Sequence, residues 1–233
     1  MTLKTQKKSS KTELTCPYCE ATFKKEANFA KHICKQKRRF FEKDTKPARF
    51  AFHAFKEFHN VHYRRETTYE KFMKSNLYDA FMRFGKYILD IDAIDPMAYI
   101  DYMIRSTVPI DRWCRDSEYE KYVFNLTMKE CPMRGTERTL LLMQEWANSK
   151  QSEMVNFFRD ISAPLAVRWI ISGRISPWVL LNCESGQELL GRLTDEQTLL
   201  IKNALNIKLW KGKFTRHRKE VSDIQAVLAE SGI

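Results

Sequence analysis

The chain has 233 residues, 43% of them hydrophobic, with a formal net charge of +11 and a pI near 9.3. That length supports one sizeable core with a small appendage, or two modest domains. No apolar run is long enough for a membrane span, the first residues lack the apolar centre of a signal peptide, and the six cysteines do not form a disulfide framework, so a cytoplasmic protein is expected. The charge is uneven. Residues 1–49 hold 14 Lys and Arg against 5 Asp and Glu, residues 50–201 hold 19 against 21, and residues 202–219 hold seven against none. Two positive regions on a nearly neutral body are the footprint of a polyanion partner, although a solvated face has the same composition.

Residues 1–13 (MTLKTQKKSSKTE) are polar and basic and are expected to form a disordered arm. Cys16-Pro17-Tyr18-Cys19 follows, and then Phe23, Phe29 and His32. The tetrapeptide matches the redox dithiol of glutaredoxins, but such a dithiol needs a buried strand before it, and the residues before Cys16 are polar. With Phe, Phe and His after the cysteine pair, the stretch instead resembles a two-Cys two-His zinc finger. The resemblance implies two thiolates on a hairpin, an imidazole on the next helix and bound Zn. It departs from the pattern at the last ligand, because no second His stands three to five residues after His32. Cys34 is the nearby candidate, with His53 outside it. On a continuous helix, residues two apart point to opposite sides, so His32 and Cys34 can share a metal only if the helix ends or tightens near Ile33. The metal set is thus Cys16, Cys19, His32 and Cys34, in a finger spanning residues 14–35 of ββα type.

Residues 36–47 (QKRRFFEKDTKP) are charged and serve as a basic linker or helix extension closed by Pro47. From residue 48 to 233 the pattern is helical throughout, and the fold class is all-α: a multi-helix globular body behind the small zinc element. Phe50, Ala54, Phe55, Phe58 and Val61 form one apolar stripe. A helix through Leu77, Phe81, Phe84 and Ile88 follows Ser75, and Asp95 before Pro96 opens another. Further helices are expected around 117–130, 137–148, 153–161, 164–172, 177–183, 187–192, 195–204 and 220–230, with caps at Thr136, Ser152, Ser176, Ser185 and Thr194. Cys114, Cys131 and Cys183 stand in apolar surroundings and are expected as buried free thiols.

Several groupings have a chemical and a structural reading. Asp90, Asp92, Asp95 and Asp101 contain the carboxylates a Mg²⁺-dependent nuclease would need, but Asp95 suits a helix cap. His53, His59 and His62 lie near Glu57, although the pattern places no third metal ligand there. Lys211, Lys213, Arg216 and Arg218 alternate with Trp210 and Phe214, as in a groove that tracks phosphates, while an aromatic anchored in the core gives the same pattern. Ser172–Trp178 (SGRISPW) reads as a phosphate-holding helix start or as a tight connection. No Walker loop, dinucleotide fingerprint or serine elbow is present, which weighs against an enzyme.

The run GRISPWVLLNC from Gly173 to Cys183 is similar to uncharacterised proteins of tailed bacteriophages that also begin with a short finger, which implies a viral setting. The expected function is an accessory protein binding double-stranded DNA in transcription, replication or packaging. Lys24, Lys25, Asn28 and Lys31 on a finger helix over 26–33 would approach DNA, and Lys37, Arg38 and Arg39 would neutralise phosphates. The alternative is an interaction module whose helical body binds a host or viral protein.

Overall fold

The computed structural model describes residues 13–233, so the basic arm expected over 1–13 lies almost wholly outside the described residues. Among the described residues there are fifteen α-helices, two single-turn 3-10 helices and one two-stranded antiparallel sheet, and about 70% of the structure is helical, as the all-α reading requires. The chain packs as two compact units, one ending at Tyr87 and the other running Ile88–Ile233.

The first unit opens with strands β1 (Leu14–Thr15) and β2 (Thr22–Phe23), paired in the register Leu14↔Phe23 and Thr15↔Thr22. Helices α1 (Glu26–Ala30) and α2 (Lys35–Glu42) follow, separated by an extended break. Then come α3 (Lys46–Tyr63), α4 (Tyr69–Lys74) and α5 (Tyr78–Asp90). Pro47 sits in the first turn of α3, where its missing N–H costs nothing, and Thr45 caps that helix by accepting from the Ala48 N–H at 3.4 Å. The buried side of α3 is Ala48, Ala51, Ala54 and Phe55, whereas Val61 of the expected stripe is 55% exposed. Phe55 meets Phe72 at 5.0 Å and Phe81 at 5.5 Å between ring centroids, forming the aromatic centre of this unit.

The alanines on α3 let α5 come very close at Gly85. A Cβ there would lie 2.2 Å from the Pro47 carbonyl oxygen and 3.0 Å from the Ala51 nitrogen, both backbone atoms that cannot swing aside. Gly85→Ala is therefore expected to cost about 1–3 kcal/mol despite its better helix propensity. Denaturant unfolding of the variant followed by circular dichroism measures this; unchanged or higher stability would contradict the close approach.

The second unit holds α6 (Pro96–Arg105), α7 (Asp116–Lys129), α8 (Pro132–Lys150), α9 (Phe157–Asp160), α10 (Ala163–Ile171), α11 (Pro177–Leu180), α12 (Glu184–Gly191), α13 (Asp195–Ile201), α14 (Ile207–Arg216) and α15 (Arg218–Glu230). Asp95 caps α6 by accepting from the Ala98 N–H, and Thr194 forms a reciprocal capping box with Gln197 at the start of α13. Helix α8 begins earlier than its expected cap at Thr136. Cys131 and Pro132 start it, and the Thr136 hydroxyl inside the first turns donates back to the Pro132 carbonyl at 3.1 Å. Cys131 is consequently exposed rather than buried, Cys114 is half-buried, and Cys183 is buried as expected. Likewise Cys183, not Ser185, precedes α12.

The core of this unit runs through Met143, Phe157, Phe158, Ala166, Ile175, Trp178, Leu189 and Ile224. Each large side chain withdrawn from water contributes roughly 1.5–3 kcal/mol. Ser172–Trp178 is a tight connection buried in this core. Gly173 adopts φ +77°, and a Cβ there would stand 2.8 Å from both Ile94 Cδ1 and Val123 Cγ1. Arg138 donates to the Gly173 carbonyl at 2.9 Å and grips both Glu130 oxygens at 2.8 Å, and the Ser176 hydroxyl accepts from the Trp178 N–H.

Candidate metal centre

A short hairpin, a helix end and a helix start bring three thiols and one imidazole together. Cys16 follows β1 directly, and the chain turns back at once: the Glu20 N–H donates to the Cys16 carbonyl and the Cys16 N–H to the Ala21 carbonyl, both at 2.9 Å. Glu20 takes φ +61° to close this turn, which places Cys16 and Cys19 on its inner side. Helix α1 stops at Ala30, and the Lys31 and His32 N–H groups bond back to Ala27 and Phe29. The expected helix over 26–33 is therefore shorter by a turn, and the backbone is extended at Cys34, with φ −91° and ψ 165°. This break removes the obstacle of two-residue spacing, since His32 and Cys34 no longer share a helix.

The Sγ atoms of Cys16, Cys19 and Cys34 and a ring nitrogen of His32 all lie within 4.8 Å of one another, and Cys19 Sγ is 3.2 Å from His32 Nε2. Donors around a tetrahedral thiolate–imidazole ion stand about 3.5–4 Å apart, so the cluster needs only a small contraction to close on a metal. Cys34 also caps α2, and its sulfur accepts from the Lys37 N–H at 3.3 Å. The same residue thus caps α2 and belongs to the group of donors that could hold a metal ion. Burial pushes the Cys16 thiol up, but the N–H groups of Tyr18 and Cys19 and the neighbouring thiols of Cys19 and Cys34 outweigh it and leave the thiol below its ordinary range. Around Cys19 the Ala21 N–H lowers the pKa, while burial and the nearby Cys34 and Cys16 sulfurs prevail and raise it.

Packing beneath the cluster is aromatic. Phe23 lies 4.6 Å from the His32 ring and 5.8 Å from Phe29, and Tyr18 rests against Phe40 of α2 at 5.0 Å. His53 lies on α3 and has no part in the cluster.

The basic residues divide into two sets. Lys24, Lys25, Asn28 and Lys31 are exposed, and among the described residues none of their side chains forms an ion pair. Lys37 Nζ donates to the His32 carbonyl at 3.4 Å, and Arg38 is paired with Asp79 at 2.5 Å. Arg39 is buried, donating to the carbonyls of Met73 and Ser75 and to Asp79, with Tyr78 under its guanidinium. It ties α2 to the α4–α5 connection and offers little to a ligand. In the second unit Lys213 is also buried: its ammonium caps α7 by donating to the Thr127 and Met128 carbonyls and lies 4.8 Å from the Trp210 ring centroid. Burial lowers its pKa. Trp210 packs edge-on against Trp178 in the core, so the aromatic–basic alternation here marks a helix, α14, with one buried face. Lys211, Arg216 and Arg218 are exposed.

The aspartate and histidine groupings do not assemble into metal sites among the described residues. Asp95 is a helix cap, Asp92 pairs with Arg174, and Asp90 and Asp101 face solvent. His59 packs on Phe55 at 4.2 Å, and His62 bonds the Phe58 carbonyl. No described helix is long and apolar enough to cross a membrane. Comparison with known proteins returned no matching family model, curated protein or solved structure.

Proposed function

We propose that the chain is a zinc-dependent nucleic-acid-binding accessory protein acting on double-stranded DNA. Three thiolates with one imidazole are a donor set suited to Zn²⁺, and a metal there would fix a segment too short to bury a core of its own. The observation that carries the reading is the exposed set Lys24, Lys25, Asn28 and Lys31 immediately around α1, beside four groups that could hold a metal ion. Phosphate neutralisation falls to these lysines, to exposed Lys35 and to the half-exposed Arg38, rather than to Arg39. With only five residues in α1, base readout is small and sequence preference weak. A viral, bacterially expressed setting belongs to the proposal and rests on the wording GRISPWVLLNC.

DNA binding is expected to weaken steeply with salt, and the triple variant Lys24→Glu, Lys25→Glu, Lys31→Glu should flatten the log–log salt slope by roughly 2–3. Fluorescence anisotropy with a labelled duplex measures it. A flat salt response in the wild type would overturn the reading. The second reading, a protein partner, is favoured by Ile33, Phe40 and Phe41, which are 78%, 46% and 65% exposed. The same triple variant separates the two, since capture of a protein through that apolar patch survives it.

A further inference from the structure

A cleft of about 800 Å³ in the first unit lies between the end of α3, the segment that follows it, and α4. It opens where Arg64 takes φ +50° and turns the chain out of α3, so that Arg65, Glu66 and Thr67 line the same hollow as His59, Tyr63, Lys71 and Lys74. Its size falls within the range of small-molecule sites.

Three features mark it as more than a dent in a basic surface. Arg65, Lys71 and Lys74 supply three fixed cations against the single carboxylate of Glu66, and none of the three forms an ion pair among the described residues. Thr67 is only 8% exposed, lines the cleft, and its hydroxyl has no hydrogen-bond partner. A buried hydroxyl left unpaired is unfavourable, and an acceptor or donor placed in the cleft would relieve it. Tyr63, 57% exposed, packs against the His59 ring at 4.9 Å between centroids with the rings tilted by 39°, and leaves an aromatic surface on the same wall. Burial, with the charges of Lys71 and His62 nearby, holds the His59 pKa below its ordinary value.

We propose that this cleft binds a phosphate monoester joined to a flat aromatic ring, a nucleotide either free or at the end of a strand. Arg65, Lys71 and Lys74 take the phosphate, with the Thr67 hydroxyl donating to one of its oxygens, and Tyr63 stacks on the base. Glu66, the one carboxylate in the lining, limits the negative charge that can be accommodated. The proposal does not rest on DNA binding by the lysines around α1, which are separate residues on the hairpin and α1.

The test is isothermal titration of the full chain with adenosine monophosphate, with inorganic phosphate and with single strands carrying a 5′-phosphate or a 5′-hydroxyl. Adenosine monophosphate should bind more tightly than phosphate alone. Arg65→Gln with Lys71→Gln should weaken both by about tenfold or more, and Tyr63→Ala should remove the advantage of the nucleotide while sparing phosphate. Thr67→Val, close in shape, should weaken both by a smaller factor. Arg65, Lys71 and Tyr63 are exposed, so these variants fold, which far-ultraviolet circular dichroism checks. A strand preferred only when 5′-phosphorylated assigns the site to strand ends; equal binding of free nucleotide assigns it to the free form; either supports the site. No uptake of any ligand at millimolar concentration, or an Arg65→Gln/Lys71→Gln variant that binds like the wild type, overturns it. Lys24→Glu/Lys25→Glu/Lys31→Glu should leave nucleotide binding unchanged, so this proposal and the DNA reading can fail separately.

Discussion

Cys34→Ser is expected to weaken zinc binding by on the order of 100-fold or more, and His53→Ala to leave it unchanged. Structural zinc sites bind with roughly 10–16 kcal/mol shared among four ligands, so the loss of one thiolate removes a few kcal/mol. Cys34 is the informative position because it holds two roles. Its sulfur stands in the cluster with Cys16, Cys19 and His32, and it accepts the Lys37 N–H at the start of α2. Serine keeps the cap, since an Oγ also accepts from a backbone N–H, while making a far poorer zinc ligand. The substitution therefore separates metal binding from helix capping. Competition with a chromogenic chelator on the full chain measures the affinity. Wild-type affinity in Cys34→Ser would mean that the fourth ligand lies elsewhere, and equal losses in Cys34→Ser and His53→Ala would contradict the assignment altogether.

The largest stability effect is expected in the second unit, from Arg138→Ala. The Glu130 side chain is only 5% exposed, and Arg138 binds both of its oxygens while also holding the Gly173 carbonyl. Alanine leaves a buried carboxylate unpaired and a carbonyl without its donor, at a cost of about 3–5 kcal/mol. Removing both partners should cost less than removing Arg138 alone, because the double variant Arg138→Leu/Glu130→Leu leaves no buried charge. Denaturant titration followed by tryptophan fluorescence reads this unit directly, because all five tryptophans lie beyond residue 88. If Arg138→Ala lost under 1 kcal/mol, the pair would be a solvated surface bridge and not a buried one.

Much of this structure was legible from residue types. Apolar residues at three- and four-residue spacing marked most helices, and Asp95-Pro96, Ser176-Pro177 and Thr194 with Gln197 marked starts that the backbone uses. The pair Cys16 and Cys19 with Phe23, Phe29 and His32 marked the knuckle, because a segment this short has few other ways to stay folded. What could not be read was where the backbone stops being helical. Helix α1 ends at Ala30 without glycine or proline, because the Lys31 and His32 amides close a tight turn and Cys34 begins a new helix. Nothing in local propensity announces that break; it follows from gathering the sulfurs. Thr136 is compatible with two positions in a helix, a cap or an interior residue bonding back to the preceding turn, and the structure uses the second.

The basic residues were the least legible. Lys213 and Arg39 look like their solvent-exposed neighbours in the sequence, yet each is buried to satisfy carbonyl oxygens, at α7 and at the α4–α5 connection. Composition counts charges but cannot tell a cation that caps backbone from one that awaits a phosphate. The spacing offers one hint in hindsight: Lys213 falls three residues after buried Trp210, on the same helix face. The cleft lined by Arg65, Thr67 and Lys71 depended likewise on the left-handed turn at Arg64, which no glycine signals.

Three sulfurs and one nitrogen, from Cys16, Cys19, Cys34 and His32, are proposed to form the metal knuckle. X-ray absorption at the zinc edge of the full chain, purified with its metal, tests it most directly. One zinc per chain is expected, with three sulfur neighbours at about 2.3 Å and one nitrogen at about 2.0 Å. A shell of two sulfurs and two nitrogens, or a chain that retains no zinc, would contradict it.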